Sequence, residues 1–138
     1  MPLPVAFSRH WALLGGLGTA FLWSAAPVKP ATTLEALTAP WTGPYGGVPP
    51  WDQVKPADFL QAFDQAIAEG RKNIQAIATN PEPPTFQNTL EPMERATRML
   101  DRVSILAGVH FSTLKVGDVP GIEEKVNPLL AAFHDEVA

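Results

Sequence analysis

The chain has 138 residues, of which 46% are hydrophobic, enough for one packed core and too short for two. Ten Lys and Arg stand against fourteen Asp and Glu, a net charge of −4, and no basic run could neutralise a row of phosphates, so nucleic acid is excluded as a partner. The absence of cysteine excludes a disulfide framework, a thiolate zinc cluster and a cysteine nucleophile.

Residues 1–30 read as a targeting segment. Arg9 and His10 precede an uncharged stretch from Trp11 to Ala26, rich in Leu, Ala, Gly and Trp, which is the pattern of a secretory signal. The stretch is shorter than the roughly 18 to 20 apolar residues that cross a bilayer as a helix, and Gly15, Gly16 and Gly18 weaken it further. No stable membrane span is therefore expected. Ser24-Ala25-Ala26 offers small residues for cleavage, with Pro27 following directly, and Gly18-Thr19-Ala20 is an earlier and shorter option. The expected location is the periplasm or the exterior; the alternatives are a misplaced start codon, and with it a cytoplasmic protein, or an uncleaved N-terminal apolar anchor.

Residues 31–56 form a strap rich in Pro, Gly and aromatic residues. Pro30, Pro40, Pro44, Pro49, Pro50 and Pro56, together with Gly43, Gly46 and Gly47, disfavour both ladders and helix interiors, so extended loop is the expectation here. Trp41, Tyr45, Val48, Trp51 and Val54 are costly to leave in water, which predicts a strap laid over a helical body. The glycines from Gly43 to Gly47 lack the preceding strand, following helix and nearby Lys of a phosphate cradle.

Residues 57–138 have helical periodicity. Pro56 suits a first turn, and Phe59, Phe63, Ala66, Ile67, Gly70, Ile74 and Ile77 recur at three- and four-residue steps on one face. Asn80-Pro81-Glu82-Pro83-Pro84 ends that helix near Thr79. A second helix is expected from the Thr85 to Pro92 region, capped by Asn88 or Thr89, with Leu90, Met93, Ala96, Leu100, Val103, Leu106 or Ala107, and Phe111 or Leu114 as its apolar stripe. After Lys115-Val116-Gly117, Asp118 is expected to cap a third helix whose face is Ile122, Val126, Leu129, Leu130, Phe133 and Val137, with a kink at Pro128. The fold class is all-α: the extended strap followed by about three antiparallel helices.

Four stretches taken in order resemble a known family. They are Pro40-Trp41 through Pro49-Pro50-Trp51-Asp52; Pro56-Ala57-Asp58-Phe59; Asn80-Pro81 through Pro84-Thr85-Phe86-Gln87-Asn88-Thr89; and Leu100-Asp101-Arg102-Val103. From about Leu37 onward they are similar to the N-terminal region of the thimet oligopeptidase, oligopeptidase A and peptidyl-dipeptidase family of zinc metallopeptidases. The resemblance implies a larger, two-lobed helical peptidase whose channel admits short peptides. It also implies that zinc serves the full-length family, and that a C-terminal catalytic region is the partner of this piece.

The chemistry of that family requires two His one helical turn apart, a further Glu ligand, and a Glu to take a proton from bound water. His10, His110 and His134 include no such pair. No residue is therefore assigned as catalytic, cofactor-binding or metal-binding, no cofactor is expected in this chain, and the chain alone is expected to be inactive. His110, between Val109 and Phe111, reads as a packing residue. Glu123 and Glu124 point about 100° apart on a helix and do not form an acid/base pair. Asp101-Arg102 reads as an ion pair to another helix, Ser104 has no His or acid partner, and the Trp41 to Trp51 aromatics read as core cover before peptide-stacking platforms.

The run from Pro128 to Ala138 reads as a helix still in progress, which predicts a truncated region with marginal stability of its own. The competing expectation is a stand-alone exported helical protein that binds peptides or a partner without catalysis.

Overall fold

The computed structural model describes residues 32–42 and 47–138, and among them every regular element is helical, in agreement with the all-α reading. The apolar targeting segment, its cleavage sites, Tyr45, and the glycines Gly43 and Gly46 lie outside the described residues.

The strap is not wholly extended. Helix α1 (Thr33–Thr38) forms within it, and Ala36, Leu37 and Thr38 are buried. Its start follows from the Thr-x-x-Glu spacing: the Thr32 hydroxyl accepts from the Glu35 N–H at 3.2 Å. Pro40 stands just past its end, where the residue before a proline leaves the helical region. The proline density led the sequence reading to extended loop, and the six-residue helix between Thr32 and Pro40 corrects it. Of the strap aromatics that the structure describes, Trp41 packs with Val54 against the core, whereas Val48 and Trp51 are exposed. The cover is therefore partial. Gly47 has φ +95°, and a Cβ there would lie 2.5 Å from the Trp41 carbonyl carbon, so glycine is required where the strap returns onto its own backbone.

A 3₁₀ turn at Pro56–Asp58 leads into α2 (Phe59–Ala78), the long central helix, which touches each of the other helices. Pro56 occupies the first turn as its fixed φ predicts. Phe59, Ala62, Phe63, Ala66, Ile67 and Gly70 are its buried face, and Thr79 closes it. Asn80 through Pro84 connects to a π-helical turn (Phe86–Leu90), followed by α3 (Glu91–Ala96) and, after a one-residue interruption at Thr97, α4 (Arg98–Ser112). The expected second helix is thus a turn and two helices in line. Its cap is Thr85, not Asn88 or Thr89. The Thr85 hydroxyl accepts from the Asn88 N–H at 3.1 Å, and the Asn88 Oδ1 accepts from the Thr85 N–H at 2.7 Å, a reciprocal capping box.

Helix α5 (Val119–Val137) continues through Pro128, which is exposed. Asp118 occupies its N-cap position, but its side chain makes no capping hydrogen bond, which corrects that expectation. Phe59 meets His110 and Phe111, so α4 runs antiparallel to α2, while Phe133 lies against Gly70 and α5 runs parallel to it. The result is an up-down-up bundle closed at one side by α1. Among the described residues Leu37, Phe59, Phe63, Val103, Leu106, Val119, Val126 and Phe133 are its largest fully buried side chains, each contributing about 1.5 to 3 kcal/mol of apolar burial. Among the described residues no helix is long and apolar enough to cross a membrane.

Candidate functional site

Among the described residues, clefts open at both ends of α2. The first, of about 500 Å³, lies between the C-terminal turns of α2, which supply Asn73, Ala76, Ile77 and the following Asn80, and the segment carrying Asn88, Pro92, Arg95 and Ala96. One end is tied by Asn73, whose Nδ2 donates to the Ala96 carbonyl at 3.0 Å. At the other end the capping box fixes Asn88, whose Nδ2 also donates to the Pro83 carbonyl at 2.9 Å. Arg95 pairs with Glu91 at 2.5 Å, one turn earlier, and both side chains are about half exposed. The second cleft, of about 680 Å³, lies between the start of α2 (Pro56, Ala57, Leu60) and the Val116–Ile122 segment with Lys125.

The Pro-Thr-Phe-Gln-Asn-Thr stretch has a second consequence. Phe86, Leu90 and Met93 recur at helical spacing and are 63%, 57% and 43% exposed, whereas Asn88, Pro92 and Ala96 turn toward α2. Leu90 and Met93 therefore do not join the core stripe expected of them, and Leu114 is exposed as well. Helical spacing identifies an apolar face without saying which neighbour covers it.

The residues that sequence reasoning weighed as chemistry are scattered. His110 is half-buried with its ring edge-on to Phe59, centroids 5.3 Å apart, and serves packing. His134 is exposed near the end of α5. Glu123 faces Lys115 at 3.6 Å while Glu124 is exposed, so the two do not share a site. Among the described residues Arg102 makes no salt bridge to a carboxylate of another helix. Its Nη2 donates to the Thr38 carbonyl at the end of α1 at 3.0 Å, and its buried Nε has no partner among the described residues. Desolvation lowers its pKa, opposed by Asp101 and aided by Arg98. Thr38 sits at the negative end of α1, which is why a carbonyl there attracts a cation. Ser104 is half-buried in α4.

No cluster among the described residues fits a zinc ion. Among the described residues no three His, Asp or Glu side chains gather at ligand distance.

What the fold defines is an all-helical module with clefts at both ends of α2. No family model matches the chain, and no solved structure does. Curated proteins do. Over 106 residues, 77% of this chain, it is 36% identical to the dipeptidyl carboxypeptidase of Escherichia coli. Over 89 residues, 64% of this chain, it is 27% identical to the dipeptidyl carboxypeptidase of Salmonella typhimurium. The alignments cover 15% and 13% of those two proteins. They support a relation between this chain and the dipeptidyl carboxypeptidase family of peptidases.

Proposed function

We propose that the chain is the non-catalytic, N-terminal helical portion of a zinc-dependent peptidase that releases dipeptides from short peptides, and that its helices form part of the wall of the substrate channel. The 36% identity to the Escherichia coli dipeptidyl carboxypeptidase over 77% of this chain carries the reading. The order of the motifs from Pro40-Trp41 to Leu100-Asp101-Arg102-Val103 supports its placement at the N-terminal side. The exposed strip of Phe86, Leu90 and Met93 supports it too, because a peptidase-length chain supplies apolar elements to cover such a face. Zinc ligands and the proton-accepting Glu then belong to the catalytic region of that longer chain. Export to the periplasm is part of the same proposal and rests on Arg9, His10 and the Trp11 to Ala26 stretch.

Assay of dipeptide release from an N-terminally blocked peptide, with zinc added, tests the division of labour. The 138-residue chain is expected to release nothing above buffer, and the peptidase-length product of the same locus is expected to turn over. Zinc-dependent hydrolysis by the 138-residue chain would contradict the proposal, as would an inert peptidase-length product.

A further inference from the structure

We infer that residues 83–96 form a flap that opens from α2 as one unit while the rest of the bundle stays closed, with Asn73 as its latch. The core and the apolar side chains packed against it include Ile74 and Met99 but, among the described residues, none between them. Within residues 83–96 only Ala96 is buried, and Phe86, Leu90 and Met93 face outward. Little apolar burial therefore opposes release, the condition under which part of a protein opens at a lower energy than global unfolding. The flap belongs to the described residues and does not depend on the peptidase reading.

The segment is tied to itself more than to α2. Thr85 and Asn88 exchange the two bonds of the capping box, Asn88 Nδ2 donates to the Pro83 carbonyl, and Arg95 pairs with Glu91. None of these crosses to α2. Among the described residues one side-chain hydrogen bond does, from Asn73 Nδ2 to the Ala96 carbonyl at 3.0 Å. Ala96 is 4% exposed, so water has little access to replace that donor while the segment is closed. The seam itself is loosely packed, because the cleft of about 500 Å³ separates Ala76 and Ile77 of α2 from Pro92 and Ala96 of the segment. Both ends can turn. Asn80 through Glu82, wholly exposed, joins the segment to α2, and at Thr97 the helical run is interrupted, with φ −108° and ψ 11°. Residues at the ends of elements absorb the dihedral change of a hinge. Between these points the internal bonds hold the segment together, so it moves as a body and does not unravel from one end. Opening widens the cleft along Ala76 and Ile77 and leaves the core around Phe63 and Leu106 intact.

Native-state hydrogen exchange of the 138-residue chain at low denaturant tests the flap. The amides of Thr89, Glu91, Arg95 and Ala96 are expected to share one opening equilibrium with a shallow denaturant dependence, distinct from that of Phe63, Ile67, Val103 and Leu106. Asn73→Ala removes the latch and favours helix in α2. It is expected to raise exchange of the four flap amides by about two- to tenfold, the effect of one lost hydrogen bond, with the core amides no faster than in the unmodified chain. Asn127→Ala, on the exposed side of α5, makes the same replacement away from the flap and is expected to leave the flap amides unchanged. Several results would overturn the inference: flap amides that exchange only together with the core; flap amides with separate equilibria, residue by residue; no change in Asn73→Ala; equal acceleration of flap and core in that variant; or an equal effect of Asn127→Ala on the flap. A chain without protected core amides would also overturn it, because the bundle would then open no later than the flap.

Discussion

Gly70 and Phe133 set the distance between α2 and α5. A Cβ at Gly70 would lie 3.1 Å from Phe133 Cζ, and Phe133 is 1% exposed, so the ring has little room to withdraw. Gly70→Leu is expected to lower stability by about 1 to 3 kcal/mol through overpacking, read from the urea midpoint; an unchanged midpoint would show that the helices separate freely. Arg102 is the other residue whose role is particular. Its guanidinium joins α4 to the end of α1 through the Thr38 carbonyl, and the side chain is half-buried. Arg102→Ala is expected to cost about 1.5 to 3 kcal/mol, the range for a hydrogen bond to a charged group, and to speed amide exchange across α1. The Arg71–Glu136 pair, at 2.7 Å with both side chains about half exposed, is a contrast. Glu136→Gln is expected to change stability by less than about 1 kcal/mol, because solvent screens such pairs.

At the level of elements, the start of the α3–α4 segment depends on Thr85. The reciprocal bonds between Thr85 and Asn88 satisfy donors that the first turn would otherwise leave open, and Asn88 also anchors the connector through Pro83. Thr85→Ala is expected to cost about 1 kcal/mol and to raise amide exchange over Phe86 to Leu90 before other regions; uniform exchange would contradict a local role. The same stretch shows what the sequence could and could not say. Phe59, Phe63, Ala66 and Ile67 announced α2 because four positions on one stripe all meet the core. Leu90 and Met93 obey the same spacing and yet are exposed, since periodicity reports an apolar face and not its neighbour. Helix α1 was hidden by the prolines around it, although Thr32 and Glu35 carry a legible start signal. The cleft at the C-terminal end of α2 was not legible at all. It arises because Asn73 and Asn80 at the end of α2 come opposite Asn88 and Pro92 on a segment whose packing angle no local pattern specifies.

At the scale of the molecule, the described residues form a core around α2 and leave an exposed apolar strip outside it. A chain of this size buries a modest fraction of its surface, so marginal stability is expected, with a broad thermal transition below about 65 °C by circular dichroism. A sharp transition above that temperature would describe a self-sufficient domain. The chain spans only 13% to 15% of the dipeptidyl carboxypeptidases it matches, and under the proposed function the zinc chemistry belongs to the catalytic region of a peptidase-length chain. Sequencing the native locus through codon 138 and onward is the direct measurement. An in-frame His-Glu-x-x-His with a downstream Glu is the predicted result, and a stop codon with no such motif in frame would contradict the proposed peptidase.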